Sequence, residues 1–518
     1  MPKLTIDGKE IEVPAGTTII QAADKLGITI PRYCYHESLP VSGNCRICMV
    51  EVEKQPKLQI ACYTPVADGM VVKTASPKVL EVRKTVLEFL LVNHPLDCPV
   101  CDQAGECKLQ DYYMDHGQYD SRLDDVKVKK EKKAVSIGPT VMLDQERCIL
   151  CTRCVRFTDH ISKSHELGVF ERGDHSQLDV YPGKQLDNNY SGNVVDICPV
   201  GALTDKDFRF KCRVWYLEKT KSVCPGCSNG CNITVEWDKS RPHQDKKERV
   251  MRLKPRLNGD VNDCWICDEG RYNYRFIDEN RITTPQIKDD LVKWEAALDT
   301  VAKALKAAGS KVGVVASAQL TNEDLFVIRK LFKDASLGFK VPQTAGKSDD
   351  FLMKADRNPN TAGALSILGD SDAQAIIKKA QEGQLDVLYV FGHDLVKLFG
   401  QKTVEEIARK VKLLVYQGSN INATASYAHV ILPSAVYAEK DGTFTNYQGR
   451  VQRILPAFLP RGEAKGDWEI LKLLSEKLGK TADYKKSQDV FKDIAGNVAA
   501  FAEMSYEKIG DQGMLLKK

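Results

Sequence analysis

The chain has 518 residues, of which 43% are hydrophobic and 28% charged, and its formal net charge is +4. This is the composition of a globular protein of roughly three or four domains at about 150 residues each. The small charge, with no basic stripe, argues against a nucleic-acid partner. We expect no secretory signal in the polar start MPKLTIDGKE and no membrane span, because no apolar run is long enough.

Cysteine is the most informative residue type. All 17 cysteines lie between Cys34 and Cys267. Without a secretion signal we expect a reducing compartment, where cysteines act more often as metal ligands than as disulfides. The sequence therefore predicts one metal-binding half and one half without metal ligands.

Residues 1–78 are predicted to form a small β-grasp domain. The alternating stretch LTIDGKEIEV, turned at Asp7 and Gly8, predicts a hairpin. The following PAGTTIIQAADKLGI has the apolar spacing of a helix capped by Thr17 or Thr18.

The first group of ligands lies in this domain: Cys34, Cys45, Cys48 and Cys62. Four thiolates on one small domain favour a [2Fe–2S] cluster, although the first gap is longer than in plant-type ferredoxins. A four-cysteine zinc site is an alternative. A Rieske centre would need two histidines, and only His36 is near, which we predict to be a packing residue.

Residues 79–120 begin with VLEVRKTVLEFLLVNH, an amphipathic helix by its spacing. It leads into the second group: His94, Cys98, Cys101 and Cys107. The group has three cysteines, and His94 stands where a fourth ligand is needed. An imidazole in place of a thiolate would make a cluster less negative and favour its reduced state. A zinc site of three cysteines and one histidine, or an ordinary unligated imidazole, is the alternative.

The charged stretch at 120–133 predicts an exposed, solvated connection to the segment 138–215. In that segment Cys148, Cys151 and Cys154 have ferredoxin spacing, but no fourth cysteine follows them closely. In two-cluster ferredoxins the cysteine before a proline ligates the other cluster. Cys198, followed by Pro199, is such a residue. The third group, for one [4Fe–4S] cluster, is therefore Cys148, Cys151, Cys154 and Cys198.

Residues 216–280 contain five thiols for four ligand positions: Cys224, Cys227, Cys231, Cys264 and Cys267. A zinc ribbon is an alternative to a cluster here. Cys212 has no close partner in sequence, and we predict a buried thiol.

Residues 281–518 have a different sequence pattern, in which short apolar runs alternate with amphipathic stretches. The runs KVGVVAS, LDVLYVFG and VKLLVYQG predict buried strands, and TNEDLFVIRKLFKDA and KTVEEIARKV predict helices between them. This alternation favours a parallel α/β sheet. DWEILKLLSEKLG predicts a further helix. No G-x-G-x-x-G or Walker A loop is present to bind a phosphate.

Four of these stretches carry a family resemblance: HPLDCPVCDQAGEC, CxxCxxCVRF, DICPVGALTDKDFRF and CDEGRYNY. With the spacing of the first group, they resemble the large iron–sulfur subunit of respiratory complex I over residues 1–280. The stretch at 428–452 and the GDWEIL after it resemble the molybdopterin oxidoreductase fold. The fold class implied is multidomain α/β: a ferredoxin-like β-grasp domain, [4Fe–4S] domains, and a truncated molybdopterin-oxidoreductase-like domain at 281–518.

The resemblance also implies ligands. It places a binuclear cluster in the first domain, a tetranuclear cluster on the second group with His94 as a ligand, and another completed by Cys198. In some bacterial members a further [4Fe–4S] cluster uses the equivalents of Cys224, Cys227, Cys231 and the cysteine of CDEGR. That match selects Cys267 for the fourth group and leaves Cys264 as a spare thiol.

The function implied is that of an electron-transfer subunit of NADH-quinone oxidoreductase. It would pass single electrons from a flavin-bearing, NADH-oxidising subunit toward quinone-side iron–sulfur subunits, with no catalytic residue of its own. The resemblance implies a peripheral position on the cytoplasmic side of the inner membrane. We expect no molybdenum cofactor, because no cysteine follows Cys267 and about 240 residues are too few for the usual pterin-binding domains.

Other functions remain open at this point. The chain could be a diaphorase-type electron-transfer subunit of an NAD-linked hydrogenase or of a formate dehydrogenase. An iron-only hydrogenase would need further cysteines downstream for its catalytic cluster. A zinc-stapled interaction protein is the alternative outside redox chemistry.

Overall fold

The computed structural model describes residues 1–240, 247–342, 346–481 and 483–517. These residues form two compact units, Met1–Leu217 and Glu218–Lys518. Within the described ranges, none of the helices combines the length and the apolar character that crossing a bilayer requires.

The chain begins with a β-grasp domain, as the sequence predicts. Its elements are β1 (Lys3–Ile6), β2 (Lys9–Glu12), α1 (Ile19–Lys25), β3 (Met49–Val52), β4 (Gln59–Ile60) and β5 (Met70–Lys73). The strand order is β2-β1-β5-β3-β4, and β1 and β5 run parallel. The hairpin turns at Asp7 and Gly8, both with positive φ, and Thr18 is the N-cap of α1. The long stretch between α1 and β3 carries most of the first group.

The rest of the first unit consists of short elements that leave the ligands on loops and helix ends. They are α2 (Pro77–Leu91), α3 (Lys108–His116), β6 (Val135–Ser136), β7 (Val141–Leu143), α4 (Arg153–His160), β8 (Leu167–Phe170), β9 (Gln177–Val180), α5 (Asn193–Ile197) and β10 (Leu203–Asp205). The Ser76 hydroxyl accepts a hydrogen bond from the Val79 N–H and caps α2. Cys107 is the N-cap of α3, and Cys198 follows α5 directly.

The connection at 120–133 is largely exposed, as predicted, but it is also tied to the unit. Arg122 pairs with Glu88 at 2.6 Å, and Lys132 pairs with Asp179 at 2.7 Å. Lys127 donates to the carbonyls of the last turn of α2, both at 2.9 Å. A cation at that position neutralises unpaired carbonyls and favours the helix dipole.

The second unit begins with a three-stranded sheet around the fourth group. It contains β11 (Leu217–Val223), β12 (Asn232–Asp238), β13 (Val250–Pro255) and the short helix α6 (Asp268–Tyr272). The Cys224–Cys231 loop connects β11 to β12, and Cys267 is the N-cap of α6.

The parallel α/β domain predicted for the C-terminal half is present. Its elements are β14 (Gln286–Ile287), β15 (Asp290–Leu291), α7 (Trp294–Ala308), β16 (Val312–Val315), α8 (Asn322–Leu331), β17 (Ser336–Gly338), α9 (Thr361–Leu368), α10 (Gln374–Gln381), β18 (Val387–Phe391), α11 (Leu395–Phe399), α12 (Gln401–Lys410), β19 (Leu413–Gly418) and β20 (Val430–Pro433). The sheet order is β15-β14-β20-β19-β18-β16-β17, and the five strands β16 to β20 run parallel to one another. The three predicted strands are β16, β18 and β19, and every residue in them is buried.

The chain ends with elements that the sequence predicts only in part. They are β21 (Gly442–Thr445), β22 (Arg450–Ile454), α13 (Asp467–Lys477), α14 (Ser487–Asn497), α15 (Tyr506–Ile509) and β23 (Met514–Leu515). The three strands form an antiparallel sheet, and residues 446–449 make the turn between β21 and β22. A buried lysine joins this region to helix α8 of the parallel domain. Lys440 lies 2.8 Å from Asp324 and 2.7 Å from Asp467.

Candidate functional site

The first group comes together in one buried place. Cys34, Cys48 and Cys62 are at most 1% exposed. The thiols of Cys45 and Cys62 hydrogen-bond to Cys34 and lower the pKa of the Cys34 thiol. A hydrogen bond to Cys62 likewise lowers the pKa of Cys48. The hydrogen bonds between these thiols and the burial of the site raise the pKa of Cys45 and Cys62, so the group favours two thiolates rather than four without a cation. The four sulfurs lie close together and form a suitable donor set for iron.

His36 is not part of this set of sulfurs. Its Nδ1 accepts a hydrogen bond from the Ser38 N–H at 3.3 Å. Burial, and then the charges of Arg153 and Arg156, lower its pKa to about 4. The imidazole is therefore neutral at physiological pH and packs beside the first group.

The second group lies at a cavity of about 570 Å³ lined by His94, Cys98 and Cys107. Cys101 is 8% exposed, whereas Cys98 is open to solvent. The Nδ1 atom of His94 is buried, with no hydrogen-bond partner among the described residues. Burial lowers the pKa of His94 to about 4, so the ring is neutral near pH 7. A neutral imidazole with an unpaired nitrogen can serve as a metal ligand.

The third group surrounds one small cavity, lined by Cys148, Cys151, Cys154 and Cys198. Leu150 and Thr152 have φ of 52° and 60°. This left-handed backbone coils the ligand loop back on itself between successive cysteines. Burial raises the pKa of all four thiols, that of Cys151 to about 11. Such thiols ionise readily only when a cation compensates the buried charge.

Arginines join the third group to the first. Arg156 donates to the carbonyl of Cys34 at 2.6 Å and to that of Cys151 at 3.2 Å. Arg153 donates to the Tyr35 carbonyl at 2.6 Å and to the Ile197 carbonyl at 3.0 Å. Both guanidinium groups thus bridge the backbone of the two ligand loops.

Close packing joins the third group to the second. A Cβ at Gly201, three residues after Cys198, would lie 2.4 Å from the Cys101 sulfur. Only glycine fits at that position. The Lys108 N–H donates to the Pro199 carbonyl at 2.9 Å. The fully buried hydroxyl of Tyr33 has no partner among the described residues. Burial raises the pKa of Tyr33, and Cys107 and Cys45 are among its charged neighbours. The three groups of the first unit therefore share one buried network.

The fourth group lines a second small cavity: Cys224, Cys227, Cys231 and Cys267. Cys264 is partly exposed and does not line it. The Gly270 N–H donates to the Cys267 sulfur at 3.3 Å, and a Cβ on Gly270 would lie 3.1 Å from the Cys224 sulfur. Cys212 is partly exposed, so the prediction of a buried thiol is wrong. Its sulfur lies 3.4 Å from the Arg213 carbonyl, on a loop.

The residues fit iron–sulfur groups on three counts. The donors are thiols and one neutral imidazole, as such clusters require. Three buried polar atoms have no hydrogen-bond partner in the part of the chain that the structure describes and lie beside three of the groups: the Tyr33 hydroxyl, His94 Nδ1 and the Tyr437 hydroxyl. Glycines leave room at two groups where a methyl would meet sulfur. Within the described ranges, no set of three His, Cys, Asp or Glu side chains is arranged to hold a single metal ion.

Sequence reasoning missed the residues that connect the groups, namely Arg153, Arg156, Gly201 and Tyr33. A signal existed for the arginines, which stand between and just after ligand cysteines in CTRCVRF. Gly201 follows the ligand in CPVG. Nothing local reveals which loop each of them contacts.

Family models match the stretches of the chain that carry these groups. Matching models are a 2Fe-2S iron-sulfur cluster binding domain at 2–77, an NADH-ubiquinone oxidoreductase-G iron-sulfur binding region at 83–122, an NADH-quinone oxidoreductase subunit 3 ferredoxin-like domain at 138–204, an NADH-ubiquinone oxidoreductase NDSU1/NuoG-like 4Fe-4S domain at 217–275, and a molybdopterin oxidoreductase domain at 353–477. The chain is thus an iron–sulfur protein of the oxidoreductase class, with one 2Fe–2S domain, several 4Fe–4S domains and part of a molybdopterin oxidoreductase domain.

Relatives identify the family. The mitochondrial 78 kDa subunit of NADH-ubiquinone oxidoreductase from Neurospora crassa is 34% identical over 93% of this chain and 81% of its own. The corresponding 78 kDa subunit from Candida albicans is 31% identical over 93% and 83%. The 75 kDa subunit from Reclinomonas americana is 30% identical over 98% and 93%. The chain belongs to this family of complex I iron–sulfur subunits.

A chain in the crystal structure of an NAD+-reducing [NiFe]-hydrogenase in the H2-reduced state also matches. It is 32% identical over 41% of this chain and 91% of that chain, with a TM-score of 0.37.

Proposed function

We propose that the chain is the electron-transfer subunit of an NADH-quinone oxidoreductase, passing single electrons from a flavin-bearing subunit toward quinone-side subunits. The observation that carries the proposal is the buried network shared by three groups in the first unit. Arg156 donates hydrogen bonds to the backbone of a ligand in the first group and of a ligand in the third group. Gly201 lets the ligand loop of the third group pack against the Cys101 sulfur of the second group. Electron transfer needs such close neighbours, whereas separate structural metal sites do not.

The ligands proposed follow the sequence prediction. A [2Fe–2S] cluster would bind to Cys34, Cys45, Cys48 and Cys62. Three [4Fe–4S] clusters would bind to the remaining groups: His94, Cys98, Cys101 and Cys107; Cys148, Cys151, Cys154 and Cys198; and Cys224, Cys227, Cys231 and Cys267. The proposed domains are residues 1–78, 79–120, 138–215, 216–280 and 281–518.

When bound, the clusters supply one-electron redox chemistry. The residues of the chain control the access of water and the charge around each group. Nine of the twelve cysteines in the first, third and fourth groups are buried, which limits the access of water to their sulfurs. The guanidinium groups of Arg153 and Arg156 place positive charge beside two groups and favour their more negative, reduced states. The neutral ring of His94 contributes no negative charge to the second group.

The proposed partners are the flavin and NADH-binding subunit on one side and quinone-side iron–sulfur subunits on the other. The assembly would lie peripherally on the cytoplasmic side of the inner membrane. The α/β domain would act as a docking scaffold without a molybdenum cofactor.

Iron and sulfide analysis with low-temperature EPR tests the proposal on the full chain, prepared without oxygen. We expect about fourteen irons per chain, from one binuclear and three tetranuclear clusters. We also expect no NADH oxidation by the chain alone. Zinc without acid-labile sulfide, or sustained NADH oxidation in the absence of partner subunits, would contradict the proposal.

A further inference from the structure

The loop between Cys227 and Cys231 is held by a turn more than two hundred residues further along the chain. Three hydrogen bonds join the two: Asn446 Nδ2 to the Asn229 carbonyl (3.1 Å), the Tyr447 N–H to the Ser228 carbonyl (2.8 Å) and Gln452 Nε2 to the Gly230 carbonyl (2.9 Å). The β21–β22 hairpin of the C-terminal region therefore fixes the backbone of a ligand loop of the fourth group.

Within that loop, one side chain points at a ligand. The Asn229 Nδ2 atom lies 3.0 Å from the Cys231 sulfur. Asn229 is 2% exposed and Cys231 is 4% exposed. A hydrogen bond from an amide to a buried thiolate is charge-assisted, and it is stronger here than it would be in water.

Hydrogen bonds within the hairpin turn also fix the orientation of the Asn446 side-chain amide. The Asn446 Oδ1 atom accepts from the N–H groups of Gln448 (3.0 Å) and Arg450 (2.9 Å). Its Nδ2 atom is then the one that faces the Asn229 carbonyl. Gly230 has φ of +62°, and a Cβ there would lie 2.9 Å from Gln452 Nε2, so the loop and the turn are in close contact.

We propose that Asn229 is a positioning residue that raises the reduction potential of the fourth group by donating a hydrogen bond to the Cys231 sulfur, and that Asn446 holds it in place. A reduced cluster carries one more negative charge than an oxidised one, so a donor at its sulfur stabilises the reduced form more. This inference rests on the proposed cluster at the fourth group. It gives the C-terminal region a role in redox tuning besides docking.

The test is a redox titration of the full chain, followed by EPR. In Asn229→Leu we expect the reduced-to-oxidised ratio of the fourth group, at a fixed potential, to fall about tenfold, equal to about 59 mV for one electron. The other three groups should keep their potentials and serve as an internal reference. Asn446→Ala should shift the same signal in the same direction, but less.

Tyr447→Ala is the matched control, because that side chain is 49% exposed and its ring contacts Lys354, whereas the backbone N–H that binds the loop is kept. The reduction potential of the fourth group in this variant should equal that in the wild type. An Asn229→Leu protein with full iron and an unchanged fourth potential would overturn the inference. A common shift of all four groups would also overturn it.

A wild-type measurement decides the matter if Asn229→Leu fails to bind the fourth cluster. Protein labelled with 15N in the asparagine side-chain amides should show a 15N coupling to the fourth signal by pulsed EPR, and its absence would overturn the inference. If the wild type contains only about ten irons, the fourth group has no cluster and both proposals for it fail. The iron count therefore separates the two failures.

Discussion

The two units build their ligand groups in different ways. In Met1–Leu217 three groups support one another, because arginines and a glycine of one ligand loop contact the next. In Glu218–Lys518 a single group is supported by the C-terminal hairpin, through hydrogen bonds that span 217 and 222 residues of sequence. A substitution of a residue that joins two groups of the first unit should therefore affect both of them, whereas the fourth group depends on the folding of the α/β half.

The largest effect is expected at Gly201. In Gly201→Ala the added methyl would lie 2.4 Å from the Cys101 sulfur, so that the second and third groups must move apart. Overpacking of this kind costs about 1–3 kcal/mol. We expect the EPR signal of the second group to be lost, that of the third group to be disturbed, and that of the fourth group to stay unchanged.

Gly496→Ala is the control for that variant, because a Cβ there meets nothing within 4 Å. It should keep the iron content of the wild type. If Gly201→Ala also keeps all its signals unshifted, the second and third groups are not packed together as described.

His94→Ala sharpens the comparison within the first unit. The buried Nδ1 has no other partner among the described residues, so its loss should affect only the second group. We expect one tetranuclear signal to disappear or change, with the iron count falling by at most about four. An unchanged EPR spectrum would remove His94 from the ligands.

Arg156→Met should act on two groups at once. It removes a cation and the donors to the Cys34 and Cys151 carbonyls. We expect the potentials of the first and third groups to fall together and the free energy of unfolding to fall by about 1–3 kcal/mol. Arg172→Met, at an exposed position of the same unit, is the control. A shift in only one of the two groups would contradict the bridging role.

The last prediction concerns pH and the second unit, and it leaves the ligand groups unchanged. Burial raises the pKa of Glu323 to about 7, above its ordinary value of 4.5. Because the folded form binds the proton more tightly, this stabilisation is complete below pH 4.5 and is lost as pH rises through 7. Glu323→Gln should remove a pH dependence of about 2–4 kcal/mol.

Urea unfolding of both proteins between pH 5 and 8 measures that difference. The carboxyl accepts from the Thr443 N–H at 2.8 Å and from the Tyr506 hydroxyl at 2.9 Å, so the substitution also carries a constant cost. Only the slope with pH tests the prediction. Equal slopes for the two proteins would show that Glu323 is ionised throughout the range.

Local patterns predicted much of the fold. The Asp7–Gly8 hairpin, the helix that begins after Thr18 and the strands β16, β18 and β19 are formed where the sequence predicts them, although the capping hydrogen bond comes from the Thr18 N–H to the Gln21 side chain and not from the Thr18 hydroxyl. Their signals lie within a few turns of chain. The β8–β9 and β21–β22 hairpins were not predicted, although both are local. The pairing of β23 with β22 was also not predicted, because it joins segments far apart in the chain.

The sequence by itself determined the chemistry, because cluster ligands recur at short spacings that the chain must keep for several sulfurs to reach one group of irons. It also determined the buried strands, whose apolar runs need no partner to be recognised. Only the tertiary structure decided that Arg156 joins two ligand loops and that Asn446 reaches Asn229. Those contacts join residues far apart in sequence, so they exist only once packing has brought the segments together.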